Sequence, residues 1–420
     1  MMPSSASVAN VRADLRHRPP ALMRIGSADM STATSVAAPT ASAAANVEIV
    51  ELPFGTGTQR FLDVARTIYR DDPQYVVPLD MDLGDRLTPK KNPFFEHAEG
   101  TKFIAVRNGV DVGRITAQID KLHIERYADE TGFFGFLDTI DDVAVCKALL
   151  DAAAKWLAAR GMKKMRGPMS LSINEEMGVL IDGFDTPPMV MMPHHRRYQG
   201  ALVEAAGLTK EKDVFAWRYE IGEVPPRARR AHDELMKNPE VIIRTVRKNQ
   251  MANETRILME IFNDAWKDNW GFVPMTDSEL KKMAADLSML VVPDIALVAE
   301  VNGEAAAIAV ALPNINEIIP DLDGKLFPTG FAKLLWRLKV QGTKSARLIL
   351  LGISKKYRIQ KKYGALSTAL YVEMNDRARK LGMKWGELSW TLEDNHPVNL
   401  GIKMMGGKVY KTYRLYHRAL

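Results

Sequence analysis

The chain has 420 residues, 46% hydrophobic and 26% charged, with a net charge of +6 and one cysteine, Cys146. That length suits roughly two or three domains, and no apolar run approaches the ~20 residues of a membrane-spanning helix. A lone cysteine excludes an internal disulfide and a thiolate-ligated zinc or iron–sulfur centre, so a cytoplasmic location is the expectation. The positive excess suits a polyanionic partner without choosing among nucleic acid, anionic lipid and a phosphate-bearing co-substrate. No zinc finger, RNA-stacking motif or long basic tail argues for nucleic acid, and none is expected as a partner.

Residues 1–46 are rich in Ala, Ser and Thr and lack the apolar core of a secretory signal. They read as a disordered tail, with Met23 or Met30 as alternative starts. A strand at 47–54 and an amphipathic helix at 60–70 follow. The hairpin 102–120 turns on Asn108-Gly109, a pair suited to the positive φ angles of a tight turn. An aromatic strand at 132–140, a helix at 141–161 closing on Gly161, a strand at 163–172, a helix at 194–208 and a strand at 213–221 complete the first half. The second half repeats the order. A helix at 253–270 precedes a hairpin at 294–312 that again turns on Asn-Gly, Asn302-Gly303. Then come a strand at 346–354, a helix reaching Lys380, a strand at 384–394, a short helix at 396–406 and a strand at 408–416. The repeat indicates a tandem duplication of one mixed α/β unit, with domains at 47–222 and 241–420 and a linker at 223–240.

The stretch KKYGALSTAL, 361–370, puts two lysines and a lone glycine at the start of a helix. The second half thereby resembles a GNAT-superfamily acyltransferase domain, in which a glycine-bearing turn offers backbone N–H groups to the pyrophosphate of acyl-CoA. The resemblance implies cofactor contacts at Lys361, Lys362, Gly364, Ala365 and Ser367, and at Asn395 after the next strand. Leu366 departs from the small residue of that motif. The first half lacks any such glycine pair, and no CoA is expected there. FFEH, GFFGF, NEEMGVLIDGF, NDAWKDNWGFVP and ELSWTLEDN further resemble a bacterial tandem GNAT-like group that includes the bacterial ceramide synthases. The fold implied is mixed α/β (α+β): two tandem domains, each a splayed sheet flanked by helices. The activity implied is N-acylation of a sphingoid base, sphinganine or 3-oxosphinganine, from a long-chain acyl-CoA or acyl carrier protein thioester used as co-substrate, with no tightly bound cofactor. Two rival readings are a tRNA-dependent aminoacyltransferase and a non-catalytic protein binding lipid or an acyl carrier.

Amine acylation requires a base for the amine proton, donors for the oxyanion and an acid for the leaving thiolate. Glu393 and His396 at the end of the 384–394 strand are candidate bases, as is His195, and Tyr413 is a candidate acid. A solvated acidic loop and ordinary strand packing account for the same residues. His194-His195 lacks the i,i+4 spacing of a helical zinc pair, so no metal is expected. Met189, Met191 and Met192 offer an adaptable wall for a lipid chain, with Asn174, Glu176, Trp270 and Trp390 as further substrate contacts. The stretch from Lys325 to Arg347 joins Phe, Leu and Trp to six Lys/Arg without an acid. Such a stretch suits either peripheral contact with an anionic membrane or a helix packed on its own sheet.

Overall fold

The structure is a computed structural model describing residues 47–420, and the expected tail with its alternative starts lies outside them. The first half begins with β1 (Glu48–Pro53), α1 (Thr58–Ile68) and α2 (Asp80–Arg86). The hairpin strands β2 (Ala98–Arg107) and β3 (Val110–Asp120) follow, then α3 (Lys121–Tyr127), β4 (Thr131–Thr139) and α4 (Val143–Ala158). Two short strands, β5 (Lys164–Gly167) and β6 (Val179–Asp182), precede α5 (Gln199–Ala205) and β7 (Thr209–Glu220). The second half runs α6 (Pro226–Leu235), β8 (Val241–Thr245), α7 (Met251–Trp266), α8 (Asp277–Leu287), β9 (Ala296–Val301) and β10 (Glu304–Pro313). It closes with α9 (Gly330–Trp336), β11 (Ser345–Ile353), α10 (Lys355–Arg358), α11 (Leu366–Lys380), β12 (Trp385–Leu392), α12 (His396–Met404) and β13 (Lys408–Ala419).

Both expected hairpins form. Asn108 and Gly109 take φ 52° and 76°, Asn302 and Gly303 51° and 79°, the paired positive values of a type I′ turn. The strands make one sheet, ordered β1-β2-β3-β4-β5-β13-β7-β12-β11-β10-β9-β8, with β6 also on β13. This order reads the same from either end once each strand is matched to its counterpart in the other half. At the centre the halves exchange their last strands. β7 pairs with β12 and β13, and β13 pairs with β5, β6 and β7. In both halves the fourth and fifth strands run parallel for a few residues and then part, after Phe133↔Arg166 in one and after Leu348↔Leu388 in the other.

Helices cover both sheet faces. In the first half α4 and α5 bury Leu149, Leu150, Leu157 and Val203 against one face, and α1 buries Phe61, Leu62 and Val64 against the other. In the second half α11 packs Leu366, Ala369 and Leu370 on one face and α7 packs Ile257 and Ile261 on the other. Each fully buried Leu, Ile or Val contributes roughly 1.5–3 kcal/mol. Cys146 lies in this core, where burial pushes its thiol up to about 12 and leaves no thiolate.

Several elements differ from expectation. The strand expected at 163–172 leaves the sheet at Gly167, because Pro168 has no N–H for the ladder. The chain returns as β6, continuing along the same edge of β13, so residues 168–178 form an excursion out of one interrupted strand position. The helix expected from 194 begins at Gln199. The stretch expected as a linker contains α6, which opens on Pro226 and packs on α11 through Arg229–Asp376 at 2.8 Å and His232–Glu373 at 3.2 Å. Helices α2 and α8 were not anticipated. α8 nevertheless carries a readable start, a capping box of Thr276 and Glu279.

Candidate active site

A cavity of about 450 Å³ opens beside the parting strands of the first half. This is within the roughly 300–1,000 Å³ of small-molecule sites. Its floor is β4, at Phe136, Leu137 and Asp138. α2 and the 168–178 excursion form one wall, the 188–195 stretch a second, and α8 with residues 315–334 of the second half a third. Phe136 and Met191, both lining, and Leu171 beside them hold positive φ (47°, 60° and 89°), a strained backbone of the kind that collects at functional sites.

The excursion is held at both ends by glycines. A Cβ on Gly167 would stand 2.3 Å from the Phe134 carbonyl oxygen, and one on Gly178, at φ 80°, 2.9 Å from Tyr413 Cβ. Between them, Arg86 at the end of α2 clamps the loop. Its Nε donates to Glu175 at 2.8 Å and its Nη1 to Glu176 at 3.0 Å. Asp82, one turn earlier on α2, also opens into the cavity. Two carboxylates thus share one guanidinium, with Asp82 a third nearby. Burial raises the Glu175 carboxyl above its ordinary range, and Glu176 and Asp82 add to that, against the pull of Arg86. Asp82 is raised as well, by burial first and by Glu176 and Asp286, against Arg86 and Lys282.

At the buried end, Arg114 donates to Asp138 at 2.7 Å, and the Tyr69 hydroxyl donates to the other oxygen of Asp138 at 2.5 Å. Burial and Asp138 hold the Tyr69 phenol well above its ordinary value, so it stays protonated. His194 reaches Asp72 at 3.0 Å. His195 accepts the Leu180 N–H at Nδ1, 3.1 Å, so its neutral ring carries the proton on Nε2. Burial lowers its pKa to about 4. His195 therefore presents a neutral hydrogen-bond donor near pH 7. The apolar wall includes Val76, Leu79, Met191, Met192, Met283 and Leu290.

Of the residues singled out from sequence, the cavity gathers His195, Met191, Met192, Asn174 and Glu176. Asn174 also donates its side-chain amide to the Val273 carbonyl in the second half, 3.3 Å. Met189 is buried just behind the wall, its sulfur accepting from Ser345 at 3.7 Å. Trp270 and Trp390 pack around the neighbouring core, Trp270 with Arg166 over its ring at 5.1 Å. Tyr413 is wholly buried, its hydroxyl without a hydrogen-bond partner among the described residues. Glu393 stands outside the cavity, bound to Lys210 at 2.7 Å and to the Asp213 N–H at 3.1 Å. His396 is exposed and Asn395 half-buried at the start of α12. Sequence reasoning missed Arg86 and Asp82 of α2, Tyr69 after α1, and the Arg114–Asp138 pair of β3 and β4, which share no local motif.

The basic turn lies in the second half. Gly364 has φ −59°, and Leu366 is fully buried against α11's core partners, so its side chain points away from the turn. Lys362 pairs with Glu240 at 3.0 Å; Lys361, Lys355 and Arg358 make no ion pair among the described residues. Ala365 is the N-cap of α11 without a side-chain cap, and Ser367 lies in its first turn. The 190–192 wall of the cavity is tied to the second half. Arg347 of β11 donates to the Val190 and Met191 carbonyls at 2.8 and 2.9 Å, and to Ser389 at 2.8 Å.

No protein-family model matches the chain. It is 43% identical over 379 residues to the "Bacterial ceramide synthase" of Caulobacter vibrioides, covering 89% of this chain and 98% of that protein. It is 41% identical over 362 residues to "Protein YghO" of Escherichia coli, covering 86% and 92%. Among solved structures, a tandem GNAT protein of the clavulanic acid biosynthesis pathway superposes with a TM-score of 0.53 at 12% identity, covering 89% of this chain and 98% of that one. The glucosamine N-acetyltransferase region of a fungal multi-domain β-N-acetylglucosaminidase gives 0.54 at 14% identity, covering 89% and 38%. At such identities these two bear on the fold alone, which is tandem GNAT.

Proposed function

The chain belongs to the bacterial ceramide synthase family of N-acyltransferases, and on that premise we propose that it moves a long acyl chain from a CoA-type thioester to the amine of a sphingoid base. The observation that carries this reading is the cavity, which joins a long apolar wall to a carboxylate cluster. A sphingoid base has the matching form, an alkyl chain ending in an amine that is cationic in water. Asp82, Glu175 and Glu176 outnumber Arg86, and this excess attracts an ammonium group. Glu175, its basicity raised by burial, takes the proton. The freed nitrogen attacks the thioester carbonyl, the N–C bond forms, the C–S bond breaks, and the second proton that the nitrogen sheds goes to the leaving thiolate. His195 lines the cavity, and in this reading its Nε2–H donates to the oxyanion.

In this reading the donor's phosphates rest at Lys361, Lys362 and the start of α11, and its acyl chain passes Met191 and Met192 to reach the amine. The burial of Leu366 supports it, because the large side chain does not occupy the turn.

The test incubates purified protein with palmitoyl-CoA and a panel of amines: sphinganine, 3-oxosphinganine and amino acids. Thiol release is followed, with products identified by mass spectrometry. Release that depends on a sphingoid base and yields its N-acyl product is expected. Release with amino acids alone, or with no amine in the panel, would overturn the assignment.

A further inference from the structure

Residues 314–344 join β10 to β11, a connection for which the first half uses only 121–130. The longer segment divides its side chains sharply. Leu322, Leu326 and Leu334 turn inward onto Val76. Arg337 folds back to the Ile318 carbonyl at 2.6 Å and to Asp321 at 2.9 Å. Phe327, Trp336 and Val340 stay outside, 75%, 54% and 65% exposed. Among the described residues Lys325 and Lys339 make no ion pair, and Lys333 reaches only Asp321, at 3.7 Å. Had this been a helix packed on its own sheet, the apolar face would be buried. Three further exposed apolar side chains, Met81, Met289 and Phe331, belong to the cavity lining and mark its mouth. The basic apolar surface is therefore continuous with the cavity entrance.

We propose that the segment Lys325–Gln341 docks the protein on an anionic lipid bilayer, with the cavity mouth turned to the leaflet so that an amine-bearing lipid enters without crossing water. Phe327, Trp336 and Val340 supply the shallow apolar insertion, and Lys325, Lys333 and Lys339 complement anionic headgroups. An acidic carrier protein would suit the lysines, but it gives no account of three large apolar side chains left in water beside the mouth. What travels through the mouth rests on the lipid-acceptor reading above; the docking is measured without turnover.

The test sediments the full chain with vesicles of phosphatidylcholine, with or without phosphatidylglycerol. The wild type is expected to bind only the anionic vesicles, and less so at high salt. Lys333→Gln/Lys339→Gln should weaken binding about 25-fold, and Phe327→Ser/Trp336→Ser/Val340→Ser should abolish it. Both variants should melt as the wild type does and retain thiol release with a detergent-dispersed acceptor. A wild type that ignores anionic vesicles, or variants that bind them equally well, would overturn the docking. So would a lysine variant impaired only with an acyl carrier protein thioester, which would reassign the patch to that partner. Vesicle binding that responds as expected in a protein inactive on every amine would keep the docking and reject the substrate.

Discussion

The proposed reaction gives two residues in the cavity separable roles. A base acts only when ionised, so raising the Glu175 pKa moves the acidic limb of kcat/KM upward: activity falls as pH drops through that raised value. Glu175→Gln is expected to lower kcat by about 10²–10⁴-fold, the range of lost general-base catalysis. His195 behaves otherwise. Its pKa near 4 keeps it neutral through the working range, so His195→Phe should lower kcat by roughly 10²–10³-fold without moving the acidic limb. A limb that disappears with His195 would make the imidazole the base after all.

Among the elements, the 168–178 excursion matters most, because it takes residues out of a strand position and aims them across the cavity. Its return depends on Gly178, whose φ of 80° and close approach to Tyr413 leave no room for a Cβ. Gly178→Ala should cost on the order of 1–3 kcal/mol, read as a lower melting temperature, and should lower activity further by displacing Glu175 and Glu176. The basic turn predicts a different pattern. Gly364 has an ordinary helical φ, and its nearest Cβ neighbour would be the Lys361 carbonyl at 3.3 Å. Gly364→Asp should therefore fold, yet raise KM for acyl-CoA by putting negative charge at the proposed phosphate site. An unchanged KM would remove the phosphates from this turn.

On the scale of the whole molecule, the exchanged strands bind the halves together. All of β7's partners in the sheet lie in the second half, and β13 holds β5 and β6 of the first. Expressed alone, 47–222 and 241–420 would each lack a central strand and expose unpaired edges. We expect both to be insoluble alone and to co-purify when co-expressed; two soluble, folded halves would refute the interdependence. A second link is His97, 2.9 Å from Asp120 and 3.3 Å from Glu279 of α8. Burial alone would lower its pKa, but the two carboxylates outweigh it and raise the value from 6.5 to about 9. Its stabilising effect is full below the unfolded value and is lost as pH rises through the folded one. His97→Gln should therefore cost on the order of 2–3 kcal/mol near pH 6 and much less near pH 10, by comparison of denaturant melts. An equal cost at both would mean packing, not charge.

Patterns that repeat along the chain were readable before any coordinates. The two Asn-Gly hairpins, the long helices α4 and α11 and the duplicated order all depend on local periodicity and turn chemistry, which act between near neighbours. The same reading brought together five residues of the cavity, because Asn174, Glu176, Met191, Met192 and His195 fall within one short irregular stretch. It could not reach Arg86, whose partners Glu175 and Glu176 lie some ninety residues away, or the Tyr69–Asp138–Arg114 network on three separate elements. Nor could it foresee the strand exchange, since β7 and β13 look like final strands of their own halves and only competition among sheet edges selects their partners. Contacts of that kind leave no spacing in the chain. They arise when the sheet closes over its centre and brings α2, the excursion and the 188–195 wall around one cavity.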